Sequence, residues 1–74
     1  MQIKEIAVIG AGQMGQGIAQ VAAQAGFLVK LADVSKETAT QGVTKIVTRL
    51  KQMVEKQKCS LEQCEQWSKN LVPV

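Results

Sequence analysis

Three glycines spaced Gly10-x-Gly12-x-x-Gly15, with an acid, Asp33, eighteen residues beyond the last, are the residues of this 74-residue chain whose types and spacing could do chemistry. Gly10 allows a tight turn off a strand, Gly12 has no side chain to keep a phosphate from the backbone, and Gly15 lets a helix pack close to that strand. A helix opening at this loop offers unpaired N–H groups and the positive end of its dipole to an anion. A carboxylate at the Asp33 position can accept hydrogen bonds from the hydroxyls of an adenosine ribose, and it repels a 2′-phosphate. The chemistry implied is the grip of a dinucleotide, with NAD favoured over NADP. Lys36 lies close enough that a cation there could offset Asp33 and hold a phosphate instead.

Such a grip needs a strand, a helix and a second strand in fixed order. Ile3 to Ile9 is β-branched and continuously apolar from Ile6, as a strand buried on both faces of a parallel sheet would be. After the loop, Met14, Ile18, Val21, Ala22 and Ala25 fall at helical spacing, and Gly26 can end the helix in left-handed conformation. Phe27 to Asp33 reads as a second, parallel strand. Ser35 can cap a long helix carrying Ala39, Val43, Ile46, Val47, Leu50 and Val54 inward, which Gly42 weakens without stopping. Ser60 and Gln63 have the spacing of a capping box for a short helix reaching about Trp67. No further strand is predicted in the closing LVPV. The expected fold is α/β: β-α-β, a long helix and a short helix on an incomplete parallel sheet, the N-terminal part of a Rossmann NAD-binding fold.

Composition narrows the function classes. The charge is +3, and residues 36–74 carry seven Lys or Arg against four acids while residues 1–35 balance at two each. With two aromatics and no nucleic-acid-binding pattern, this basic half reads as a solvated helix face, and no nucleic acid is expected. The absence of His and the five-residue offset of Cys59 and Cys64 match no metal or redox motif, so reduced thiols and no metal are expected. No signal peptide or membrane span is read, which implies the cytoplasm. A chain this short buries only about 60% of its unfolded surface, so its core is marginal.

The run Val8 to Asp33, VIGAGQMGQGIAQVAAQAGFLVKLAD, resembles the opening of the 3-hydroxyacyl-CoA dehydrogenase family, above all in Gly17-Ile18-Ala19-Gln20 after the glycine loop. Val54-Glu55-Lys56-x-Lys58-x-Ser60 extends the likeness, which covers about Lys4 to Gln63. The resemblance implies NAD-dependent oxidation of a 3-hydroxyacyl-CoA to the 3-oxoacyl-CoA, or the reverse, in fatty-acid catabolism, as in 3-hydroxybutyryl-CoA dehydrogenases. It places Gly10, Gly12, Gln13, Met14 and Gly15 on the pyrophosphate loop and Asp33 on the ribose acid. Lys56 falls where family members contact CoA with a Lys, and Arg49 replaces a small hydroxyl residue that shares that task.

The family's acid–base pair, a His oriented by a Glu, its remaining strands and its helical C-terminal substrate and dimerisation domain have no counterpart in residues 1–74. Glu37, Glu55, Glu62 and Glu65 offer no substitute, so no catalytic residue is assigned and no activity is expected of this chain alone. Residues 1–74 are expected to be a partial NAD-binding domain that associates with itself or with the missing half-domain. Two alternatives remain: a non-catalytic nucleotide-binding module docking on a partner chain, and a methyltransferase half-domain. The GxGxxG spacing and the Gly17–Gln20 extension disfavour the latter.

Overall fold

The computed structural model describes residues 4–10 and 12–74. Ile3, where the first strand was expected to begin, and Ala11 of the loop lie outside them. The elements run β1 (Glu5–Ile9), α1 (Gln13–Gln24), β2 (Leu28–Ala32), α2 (Lys36–Glu55), α3 (Leu61–Lys69) and β3 (Leu71–Pro73). The strands form a parallel sheet in the order β1-β2-β3, with Ile6 beside Val29 and Val29 beside Leu71.

The third strand corrects the sequence reading. Its three residues are too short for an alternating signal, and Pro73 argues locally against a strand. At a sheet edge a proline is tolerated because its missing N–H need pair with nothing. The ladder to β2 extends to the flanking residues, with Asn70 C=O accepting from Val29 N–H at 2.6 Å and Val74 N–H donating to Leu31 C=O at 3.0 Å.

The helix ends follow the predicted caps. α1 stops at Gly26, whose φ of 96° lets Gly26 N–H reach Ala23 C=O and Phe27 N–H reach Ala22 C=O, both at 3.1 Å. Ser35 caps α2 by accepting from Thr38 N–H at 3.1 Å. Ser60 and Gln63 close their box on α3 in both directions, at 3.1 and 3.0 Å. α2 ends in the same two-bond turn as α1, but the left-handed residue is Gln57, at φ 59°.

The core lies on one side of the sheet. Val8, Val29, Leu31 and Leu71 share that face and pack against Ala19, Ala22 and Ala23 of α1, Ile46 and Leu50 of α2 and Cys64 of α3. Fully buried side chains such as Leu31 and Ile46 each contribute about 2 kcal/mol of transfer free energy. On the other side, Glu5, Ala7, Ile9 and Lys30 are exposed, and Ile9 keeps 80% of its surface. The molecule is accordingly a two-layer slab of 34 × 32 × 17 Å. Burial of β1 on both faces, expected from its composition, is therefore met on one face only.

The helical spacing on α1 also needs correction. Of Met14, Ile18, Val21, Ala22 and Ala25, only Ala22 is buried; the others are exposed, and they join Ile6, Gly17 and Phe27 in lining an open apolar groove of roughly 600 Å3. The face that meets the sheet is the small-residue face, Ala19, Ala22 and Ala23, because alanines allow the helix axis to approach the strands.

Candidate functional site

Gly10 leaves β1 and donates its N–H to Ala32 C=O at 2.7 Å, so the glycine loop starts one residue past the Ile9–Ala32 pair. The same register brings Gly10 beside Asp33. The Gly10 φ of 101° is open to glycine at little cost, and it turns the chain from the strand toward α1. Gly15 is fixed by contact: a Cβ there would lie 1.8 Å from the Gly10 carbonyl oxygen. A Cβ on Gly12 would meet nothing within 4 Å, so the space over Gly12 is open.

That space faces the start of α1. Gly12 is the N-cap, in extended conformation, and gives no side-chain hydrogen bond to the first turn, which also holds no acid. The first-turn N–H groups and the dipole end thus point to a position without a capping side chain. Asp33 follows β2, half-buried, and its Oδ1 accepts from Val34 N–H at 2.7 Å. Lys36 opens α2 two residues after Val34 and is exposed. The loop glycines, Gln13, Met14 and Asp33 therefore gather at the carboxyl ends of β1 and β2, where open α/β sheets bind ligands.

The two cations assigned to CoA lie apart from each other in character. Lys56 is exposed at the C-terminal end of α2. Arg49 is half-buried and turned toward α1, where its Nη2 donates to Gln16 Oε1 and its Nη1 to Gln20 Oε1 at 3.4 Å. One turn further, Gln24 Nε2 approaches Met53 Sδ at 3.8 Å. Gln16, Gln20 and Gln24 form a row at spacing four that seats α1 on α2. Sequence reasoning missed this row; the signal was the glutamine repeat itself, with Arg49 and Met53 at the same spacing on α2.

Cys59 is half-buried and Cys64 buried, both reduced. Glu37, Glu55, Glu62 and Glu65 are all exposed on α2 and α3. No cluster of metal-ligating side chains occurs among the described residues, and none of their helices is long and apolar enough to cross a membrane.

A parallel β-α-β unit with a glycine turn, an uncapped helix start and an acid after the second strand defines a Rossmann dinucleotide-binding segment. The family described as "3-hydroxyacyl-CoA dehydrogenase, NAD binding domain" matches residues 5–74, and the chain belongs to that family. The 3-hydroxyadipyl-CoA dehydrogenase of Escherichia coli K12 is 43% identical over 74 residues, all of this chain and 16% of that protein. The 3-hydroxybutyryl-CoA dehydrogenase of Bradyrhizobium diazoefficiens is 54% identical over 54 residues, 73% of this chain and 18% of that one. Among solved structures, 3-hydroxybutyryl-CoA dehydrogenase from Escherichia coli K12 superposes with a TM-score of 0.94 at 43% identity, covering 100% of this chain and 16% of that one. The (S)-3-hydroxybutyryl-CoA dehydrogenase of Ralstonia eutropha gives 0.88 at 28% identity, with 96% and 25% covered. The chain thus spans under a fifth of the length of these curated relatives. The cofactor named by the family is NAD.

Proposed function

We propose that residues 1–74 supply the adenosine-diphosphate grip of an NAD-dependent 3-hydroxyacyl-CoA dehydrogenase. In this reading Gly10, Gly12, Gln13, Met14 and Gly15 hold the pyrophosphate through backbone N–H groups and the α1 dipole. Asp33 accepts from the ribose hydroxyls and sets the preference for NAD over NADP. The observation that carries the assignment is the start of α1: it lacks a side-chain cap, the space above Gly12 is open, and Asp33 stands beside Gly10. Bound NAD supplies the hydride acceptor, and residues 1–74 orient it.

The substrate class is a 3-hydroxyacyl-CoA, with exposed Lys56 as the group offered to CoA and Arg49 about two turns earlier on α2. The acid–base pair and the helical substrate and dimerisation domain belong to parts of the family pattern beyond those matched here. The bare sheet face, the unpaired side of β1 and the apolar groove of α1 are the surfaces on which the rest of the NAD-binding domain, or a second copy, would pack. We place the protein in the cytoplasm. The exposed apolar surface also favours a second reading, a non-catalytic nucleotide-binding module completed by a partner chain.

Energy transfer from Trp67 to NADH tests the grip. Saturable transfer by the folded chain, lost in Asp33→Ala and weaker for NADPH, supports the assignment. A chain shown to be folded by circular dichroism that gives no transfer overturns autonomous NAD binding. Copurification of a complementary chain with no dehydrogenase activity in the complex would favour the module.

A further inference from the structure

We infer that Arg49 is a positioning residue for the dinucleotide, acting through Gln16 on the first turn of α1. This rests on the proposed NAD grip and adds a residue from a different element to it. Gln16 is the fourth residue of α1, is 5% exposed, and its N–H closes the first helical hydrogen bond on Gly12 C=O at 2.9 Å. Its side-chain oxygen and that of Gln20 both accept from the Arg49 guanidinium. The guanidinium is a rigid planar fork, so two acceptors one turn apart fix α1 against α2 in rotation as well as distance.

The placement has an electrostatic consequence. A cation belongs by the helix dipole at a C-terminal end, yet the Arg49 guanidinium donates to Gln16 in the opening turn of α1 as well as to Gln20 a turn later. Its charge therefore adds to the positive potential that the first turn presents, unfavourably when the loop is empty and favourably when an anion occupies it. No acid stands in the first turn of α1 to neutralise it. The arrangement suits a dianionic pyrophosphate and would do nothing for an uncharged nucleoside.

The test compares the parent chain with Arg49→Met, Arg49→Lys, Gln16→Met and the Arg49→Met/Gln16→Met pair, titrating each with NAD and with adenosine across ionic strength. Arg49→Met should weaken NAD about tenfold, with a flatter salt dependence, and leave adenosine within twofold. Arg49→Lys should restore the salt dependence and only part of the affinity, because a point charge cannot bridge both glutamines. Gln16→Met should weaken NAD, and the double variant should lose no more than Arg49→Met alone. Parent-like NAD affinity and salt dependence in Arg49→Met, with the parent binding normally, overturns the positioning role alone. Failure of the folded parent to bind NAD overturns the grip and this role with it.

Discussion

The three helices begin in two different ways. α2 and α3 start on a serine whose hydroxyl accepts from the first turn, and α3 adds the reciprocal bond of a capping box. α1 starts on Gly12 and has no side-chain cap, although serine would fit its φ of −71° and nothing stands within 4 Å of where a Cβ would be. Under the proposed grip, the difference separates helix ends that serve the fold from one left free for a ligand. A serine stabilises a helix start by roughly half to two kcal/mol relative to alanine, and only a few tenths relative to glycine. The omission at α1 therefore costs little stability and leaves the first-turn N–H groups open.

The largest effect that sharpens this comparison is at Gly15. Its Cβ would sit inside the Gly10 carbonyl, so Gly15→Ala should destabilise by about 3 kcal/mol or more, read as a lower urea midpoint. An unchanged midpoint would mean that α1 can move off β1. Next, Ser35→Ala should cost about 1 kcal/mol and leave NAD affinity unchanged, because that cap serves α2 alone. A matching loss of NAD affinity would show that the two helix starts are not separable in role.

The C-terminal ends give a smaller contrast. α1 turns on Gly26 and α2 on Gln57, with the same pair of hydrogen bonds and left-handed φ values of 96° and 59°. Gln57→Gly should raise stability by about 0.5 kcal/mol, since glycine meets no steric penalty there but loses more backbone entropy. A fall in thermal midpoint would assign Gln57 a side-chain contact that outweighs its backbone. Smallest is the Lys30–Glu5 pair, 2.6 Å apart with both side chains about half exposed. Glu5→Gln should shift stability by less than ~0.5 kcal/mol, and less still in high salt.

Much of this was legible in the sequence because the signals are local. Glycine spacing, a serine three residues before its partner N–H, and apolar runs bounded by polar residues each lie within a few positions, and they located β1, the loop, α1, β2 and the caps of α2 and α3. What escaped depends on distant partners. β3 exists because β2 offers it a ladder, which overrides the proline and the shortness of Leu71–Pro73. Periodicity on α1 found an apolar stripe, but which stripe meets the sheet was decided by size: the alanines pack, while Met14, Ile18 and Val21 stay at the surface. The glutamine row and Arg49 meet across 29 and 33 positions, so the spacing was visible along each helix but not the pairing between the two.

The direct measurement of the central claim is an NAD titration of the parent and Gly12→Ser, followed by calorimetry and by thermal unfolding of the same samples. The two readouts should part: Gly12→Ser unfolds at the same or a slightly higher temperature, because the serine caps α1, and NAD binding falls at least a hundredfold because the hydroxymethyl group occupies the phosphate position. Parent-like NAD affinity in Gly12→Ser would contradict it, since the open start of α1 would then not be where the dinucleotide is held.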